Sequence, residues 1–260
     1  MPESLRRFRL RSAPDAGAGV LLDAAELEHA LRVLRLSAGE RFEGLDGAGG
    51  AWEVEVERVE RRGLALRLVR ELAREPEPGQ PGSPLPWIEV AASLPKGSRA
   101  EELSGRLTQL GIARLVPLLC ARSAEQARGS GDGRRARLVR VADEALKQSG
   151  RRWALEIAEP AGLDALLAER SAELLLLSPR APQRAFDWVA EAAREGRSWT
   201  RARPLRLLAG PEGGFTDVER AAIRAAGARE LWLGPHVLRI ETACEAAAAL
   251  LVAGLARPRS

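Results

Sequence analysis

Between Arg41 and Val69, apolar and polar residues alternate with a period of two. The runs Arg41–Phe42–Glu43–Gly44–Leu45 and Ala51–Trp52–Glu53–Val54–Glu55–Val56–Glu57–Arg58–Val59 flank the turn Asp46–Gly47–Ala48–Gly49–Gly50, and Gly63–Val69 continues the alternation. The pattern predicts a hairpin-rich sheet with one buried face. One helix is expected at Ala24–Leu34, and closure into a small β-barrel would remove the sheet's edges. From Ala73 to Pro86 the chain reads AREPEPGQPGSPLP, five prolines in fourteen positions, which neither a helix nor a central strand accommodates. Two domains are therefore expected, at residues 1–72 and 87–260, joined by a linker at 73–86.

After the linker the periodicity changes. Apolar runs at Trp87–Ser93, Ala113–Leu119, Glu173–Leu177, Leu205–Ala209 and Glu230–Leu233 alternate with helical patterns at Ala100–Leu110, Arg134–Gln148, Arg184–Glu195, Asp217–Ala226 and Thr242–Ala256. This order predicts an α/β domain with a mostly parallel sheet flanked by helices.

Composition narrows the function classes. Hydrophobic residues at 45% and charged residues at 29% exclude wholesale disorder. The longest apolar run, Ala246–Ala256, falls well short of the roughly 20 residues of a membrane span. The start, MPESLRRFRLRS, lacks the apolar core of a secretory signal. Cys120 and Cys244, without a C-x-x-C, form neither a disulfide framework nor a zinc knuckle. A cytoplasmic chain without metal or membrane partner is expected. The pI of about 9.9 is weak evidence for nucleic acid, because the cations are almost all arginine: Lys96 and Lys147 are the only lysines, as a GC-rich genome would encode. Distribution says more. Residues 1–75 carry 13 basic and 14 acidic side chains, whereas residues 96–152 carry 13 basic and 6 acidic, including Lys96, Arg99, Arg122, Arg128, Arg134, Arg135, Arg151 and Arg152. A local basic surface of this kind suits phosphate-backbone positioning.

The densest chemistry lies in two glycine loops. Leu205–Ala209 runs into Gly210–Pro211–Glu212–Gly213–Gly214–Phe215, and Thr216-x-x-Glu219 then forms a capping-box pattern. Glycines at a strand's carboxyl end let backbone N–H groups approach a ligand. The loop lacks G-x-G-x-x-G spacing and a G-K-[ST], so neither dinucleotide nor nucleoside-triphosphate binding is supported. Glu230–Leu233 repeats the design with Gly234–Pro235–His236–Val237–Leu238–Arg239–Ile240–Glu241, followed by a second capping pattern, Thr242-x-x-Glu245. Two such loops on adjacent strands would share one cleft.

GPEGGF followed by LGPHVLRIETA resembles the paired signature of the RsmE-type 16S rRNA uridine-N3 methyltransferases of the SPOUT (trefoil-knotted) superfamily. Ser93–Leu94–Pro95–Lys96–Gly97 with Glu102, Leu110–Gly111–Ile112, Pro117, Arg122–Ser123, Glu144–Ala145 with Gln148–Ser149–Gly150–Arg151, and His29-x-x-x-Val33–Leu34–Arg35–Leu36 fall in the order of that family. Four positions depart from its pattern: His236 and Ile240 stand where the family favours Arg and Thr, Gln109 replaces an acid, and Lys147 replaces a Glu.

The resemblance implies a SPOUT trefoil-knotted sheet, an N-terminal PUA-like barrel that helps hold RNA, and a homodimer with active sites at the subunit interface. S-adenosylmethionine (AdoMet) would bind among Leu177, Ser178, Pro179, Leu208, Ala209, Gly210, Pro211, Glu212, Gly213, Gly214, Leu233, Gly234, His236, Val237, Leu238, Arg239, Thr242 and Ala243. The implied substrate is a uridine in the decoding region of 16S rRNA in the 30S subunit. Arg35, Lys96, Arg99, Arg122, Ser123, Gln148, Arg151 and Arg152 would face the RNA.

Methyl transfer from a sulfonium needs a positioned nucleophile and accommodation of developing charge. Arg239 can stabilise the anion left when uridine N3 loses its proton, and Glu241 or Glu212 can take that proton. Glu241 is equally explained by the positive end of a helix, and Arg239 by an interface ion pair. His29 is expected on an apolar helical face, while Cys120, Cys244, Trp52 and Trp87 read as core. A tRNA or ribose-hydroxyl target, and an RNA-binding module with a degenerate pocket, remain as alternatives.

Overall fold

The computed structural model describes residues 5–14, 20–61, 63–123 and 132–257. The chain separates into two compact units, Met1–Glu77 with Leu146–Ala154, and Pro78–Ala145 with Leu155–Ser260.

The first unit holds β1 (Arg7–Arg9), α1 (Ala24–Arg32), β2 (Arg41–Leu45), β3 (Gly50–Glu60) and β4 (Gly63–Arg74), paired in the order β1-β2-β3-β4. β1 runs parallel to β2, and the remaining pairs are antiparallel. The expected turn forms because Asp46 Oδ1 accepts from the N–H groups of Ala48 (2.7 Å) and Gly50 (2.9 Å), with Gly47 and Gly49 in left-handed conformations that other residues enter at a cost. One face buries Phe8, Phe42, Trp52, Val54 and Val56, and the rings of Phe8 and Phe42 meet edge-on at 4.8 Å. The other face is an ion-pair ladder in which Arg41 and Arg70 bracket Glu53 while Arg41 and Arg67 bracket Glu55.

Three details differ from the sequence-based expectation. No strand pair closes β4 onto β1 among the described residues; α1 packs against β4 instead. β4 extends to Arg74, inside the expected linker, because Glu75 N–H still reaches Gly49 O at 2.8 Å. Residues 146–154 belong to this unit: Ala154 N–H donates to Gly47 O at 2.9 Å, and Trp153 Nε1 donates to Glu75 O at 3.0 Å.

The second unit contains β5 (Ile88–Ala92), α2 (Ser98–Leu110), β6 (Arg114–Leu119), α3 (Asp132–Ser149, whose last turn belongs to the first unit), β7 (Glu156–Ile157), β8 (Ala161–Gly162), α4 (Leu163–Ala168), β9 (Glu173–Leu177), β10 (Gln183–Arg184), α5 (Ala185–Arg194), β11 (Leu205–Ala209), α6 (Asp217–Ala225), β12 (Arg229–Trp232) and α7 (Ile240–Leu255). The sheet order is β10-β12-β9-β11-β5-β6-β7, with β8 also against β6, and every pair is parallel. Strand alternation divides the core. Leu205, Leu207 and Ala209 face α2, α5 and α7, whereas Leu208 faces α4 and α6. The result is a mostly parallel sheet flanked by helices on both faces.

The amino ends of the central strands are closed by charge. Arg206, 1% exposed, donates through Nε to Glu89 Oε2 at 2.8 Å, through Nη1 to Leu166 O at 3.1 Å, and also pairs with Glu169. Glu89, 2% exposed, also accepts from Trp87 Nε1 at 3.1 Å and Arg114 Nη1 at 3.4 Å. Burial works against the Arg206 charge, but Glu89 and Glu169 outweigh it and hold the guanidinium above its ordinary value.

Candidate functional site

Three loops leave the carboxyl ends of β9, β11 and β12. After β11, Gly214 N–H folds back to Pro211 O at 2.7 Å, with Gly214 in the left-handed region at φ +67°. A Cβ at Gly210 would stand 2.9 Å from the Phe215 ring, so a side chain there collides with the loop's own anchor. The expected capping box forms: Glu219 N–H donates to Thr216 Oγ1 at 3.2 Å, and Thr216 N–H donates to Glu219 Oε2 at 2.8 Å. Glu219 Oε1 also accepts from Ala121 N–H at 2.7 Å, tying the loop after β6 to α6. Burial opposes ionisation of Glu219, but the N–H groups of Ala121 and Thr216 hold its carboxyl below the ordinary 4.5.

The loop after β12 corrects one expectation. α7 begins at Ile240, with Arg239 as its N-cap and no side-chain cap. Thr242 is therefore already inside the helix and exposed, while Glu245 is held by Arg106 Nη1, 2.9 Å from both carboxylate oxygens. The second capping pattern does not form. The third loop starts at Ser178, whose N–H donates to Leu231 O at 3.1 Å.

These loops enclose a cavity of about 330 Å³. Of the residues the resemblance assigns to AdoMet, Leu177, Ser178, Pro179, Ala209, Gly210, Pro211, Glu212, Gly214, Leu233, Gly234, His236, Val237, Leu238, Arg239 and Ala243 line it. Leu208, Gly213 and Thr242 do not. Strand alternation sends Leu208 into the core beneath, Gly213 turns its carbonyl to the Arg122 guanidinium, and Thr242 faces outward from α7. Phe215, Arg220, Leu231 and Ile240 complete the wall and were not foreseen. The sequence signal for Arg220 is its position four residues after Thr216, one helical turn beyond the glycine loop.

Glu241 likewise does not line the cavity. It is buried at the second position of α7, with Oε1 3.4 Å from Arg99 Nη1. Glu212 is the acid that lines the cavity. Cys120 and Cys244 are buried free thiols, and burial pushes Cys244 up to about 12. Trp52 and Trp87 are core, whereas His29 is exposed on α1.

The basic stretch 96–152 divides between the two units. Acids from other segments neutralise much of it: Arg99 pairs with Glu241, Arg106 with Glu245, Arg114 with Glu89 and Glu156, Arg135 with Glu159, Lys147 with Glu26, and Arg152 with Glu75. Two expected RNA-facing residues lie inside the protein. Ser123 Oγ accepts from Cys120 N–H at 2.8 Å and donates to Cys120 O at 3.0 Å, and Arg151 is 8% exposed, with burial pushing its guanidinium down to about 10. Arg35, Lys96, Arg122 and Gln148 are exposed, and Arg128 lies outside the described residues. Among the described residues, no group of three His, Cys, Asp or Glu could hold a metal ion, and no helix is long and apolar enough to cross a membrane.

Residues 81–252 match the RNA methyltransferase domain model, and residues 22–69 match the RNA methyltransferase PUA domain. The chain belongs to the RNA methyltransferase family. Among relatives of this methyltransferase chain, the ribosomal RNA small subunit methyltransferase E of Synechocystis sp. is 30% identical, over 91% of this chain and 74% of its own length. The protein of the same name from Mycobacterium bovis is 30% identical, over 97% of this chain and 92% of its own. A Legionella pneumophila methyltransferase solved with bound SAM superposes with a TM-score of 0.78 at 25% identity, covering 96% of this chain and 98% of its own. The ribosomal RNA small subunit methyltransferase E of Neisseria gonorrhoeae, solved with S-adenosyl methionine, shares the fold (TM-score 0.74, 24% identity, 94% and 95% covered).

Proposed function

We propose that this chain transfers a methyl group from AdoMet to N3 of a uridine in the decoding region of 16S rRNA, acting on the small ribosomal subunit as a cytoplasmic homodimer. The observation that carries the reading is the convergence of three carboxyl-end loops on one cavity with Arg239 in its wall. Its size falls within the range of small-molecule sites, about 300–1,000 Å³. Leu177, Leu231, Leu233, Val237 and Leu238 offer apolar walls to a nucleoside, and the glycine loop brings main chain close to it. These features fit AdoMet, which when bound supplies an electrophilic methyl group on a sulfonium.

The chain's own groups then orient and stabilise. Arg239 is exposed at the cavity mouth, where it can donate to a uracil carbonyl as negative charge develops. In this reading Glu212, the acid of the cavity wall, accepts the N3 proton, while Glu241 holds Arg99 at the start of α7. The family resemblance adds the trefoil knot and a PUA-assisted grip on RNA.

Calorimetry with AdoMet, followed by methyl transfer to 30S particles from a strain lacking the gene, tests the reading. Micromolar binding and one modified uridine are expected. Absence of binding would favour a degenerate pocket, and binding without transfer to 30S would move the target to another RNA.

A further inference from the structure

Strand–glycine loop–helix architecture ordinarily offers an anion the bare N–H groups of the helix start. Here the Thr216–Glu219 capping box occupies that start. An anionic part of a cavity ligand must therefore find its partner on a side chain, because an unpaired carboxylate in a largely apolar cavity is costly.

The cavity wall holds two arginines, Arg220 and Arg239. Arg239 sits on the exposed tip after β12. Arg220 projects from the second turn of α6, is partly buried, and lies over the glycine loop, with Nη2 3.6 Å from where a Gly214 side chain would begin. Its nearby acids have closer donors, although the Arg220 charge also helps to hold Glu230 ionised. Glu230 accepts from Arg224 Nε at 2.5 Å, and Glu219 accepts from Ala121 and Thr216. Among the described residues Arg220 makes no ion pair, so its fork stays available to the cavity.

Resting on the AdoMet reading above, we infer that Arg220 binds the carboxylate of the cofactor's methionine moiety. This is an anchoring role at the end of the ligand opposite its adenine, and it involves no proton or methyl movement. A planar guanidinium suits a carboxylate because two N–H groups meet its two oxygens.

The test uses the full chain and three probes: AdoMet, S-adenosylhomocysteine, which keeps the carboxylate without the sulfonium charge, and 5′-methylthioadenosine, which lacks the amino-acid part. Arg220→Met, which keeps the aliphatic stem, is expected to weaken AdoMet and S-adenosylhomocysteine alike, roughly tenfold or more. Binding of 5′-methylthioadenosine should stay within twofold, and Arg220→Lys should recover part of the loss. Equal weakening of all three probes would mean a distorted cavity and would overturn the inference. So would unchanged binding of all three, including the case where RNA affinity falls instead and a phosphodiester is the partner. If the wild-type chain binds none of the probes, the AdoMet reading itself fails.

Discussion

At the amino ends of β5 and β11, Glu89 and Arg206 are matched inside the protein, with Trp87, the partly exposed Arg114 of β6 and the exposed Glu169 completing the cluster. At the carboxyl ends of β9, β11 and β12 the chain places glycines, and two arginines line a cavity without an ion pair among the described residues. One sheet thus carries charge at both edges for different ends. In an open parallel sheet, ligands bind outside the carboxyl ends of the strands. Cations there stay available, whereas those at the other edge must be matched to be buried at all.

The sharpest way to break this contrast is Arg206→Met. It leaves Glu89 buried with its main partner gone, so unfolding in urea should show a loss of about 3–5 kcal/mol. AdoMet affinity of the folded fraction should stay within twofold. A variant that kept full stability but lost the ligand would reverse the roles of the two edges.

Gly210→Ala is the matching change at the other edge. Its new Cβ meets the Phe215 ring, for which overpacking costs about 1–3 kcal/mol. Calorimetry should show AdoMet binding weakened by more than that stability loss alone would lead one to expect.

Smaller effects sharpen the picture. Thr216→Ala removes the α6 cap and should cost about 1 kcal/mol. Glu219→Gln has a pH signature. The folded chain holds this carboxyl below 4.5, so on acidification the unfolded chain takes up the proton first. The stability that Glu219 contributes is therefore present at neutral pH and is lost as pH falls from 4.5 through its depressed folded value. Paired denaturation curves of wild type and variant at pH 7 and pH 3 should lie closer together at the lower pH. Smallest of all, Glu159→Gln breaks an exposed pair with Arg135 and should change stability by less than about half a kcal/mol.

How much of this was legible in the sequence depends on the range of the interaction responsible. The apolar runs of β5, β6, β9 and β11 and the glycine loop with its Thr216–Glu219 cap are local patterns, and they fold as read. β7, β8 and β10 span two residues each, too short for any periodicity to mark. Thr242-x-x-Glu245 matched the capping pattern, but α7 starts two residues earlier, and Arg106 takes Glu245 from α2. The segment 146–154 joins the first unit through backbone bonds to Gly47 and Gly49, and its own residues carry no mark of that pairing. The same holds for the basic stretch: its missing acids, Glu26, Glu75, Glu89, Glu156, Glu159, Glu241 and Glu245, lie 24 or more residues away along the chain in every pair and become visible only once folded. Within the site, the loops themselves were readable. Arg220 was marked only by its spacing from Thr216, which does not say which face of α6 borders the cavity.

The most direct test of the account is a reverse-transcription profile of 16S rRNA in small subunits from a strain lacking the gene, treated with AdoMet and purified protein. The wild-type chain should create one stop at a uridine, because N3 methylation blocks pairing. Glu241→Gln should create the same stop, and Arg239→Ala should weaken it severely. A profile with no new stop, or one that survives Arg239→Ala at full strength and vanishes with Glu241→Gln, would contradict the assignment of the carboxyl-end cavity and its arginine to the chemistry.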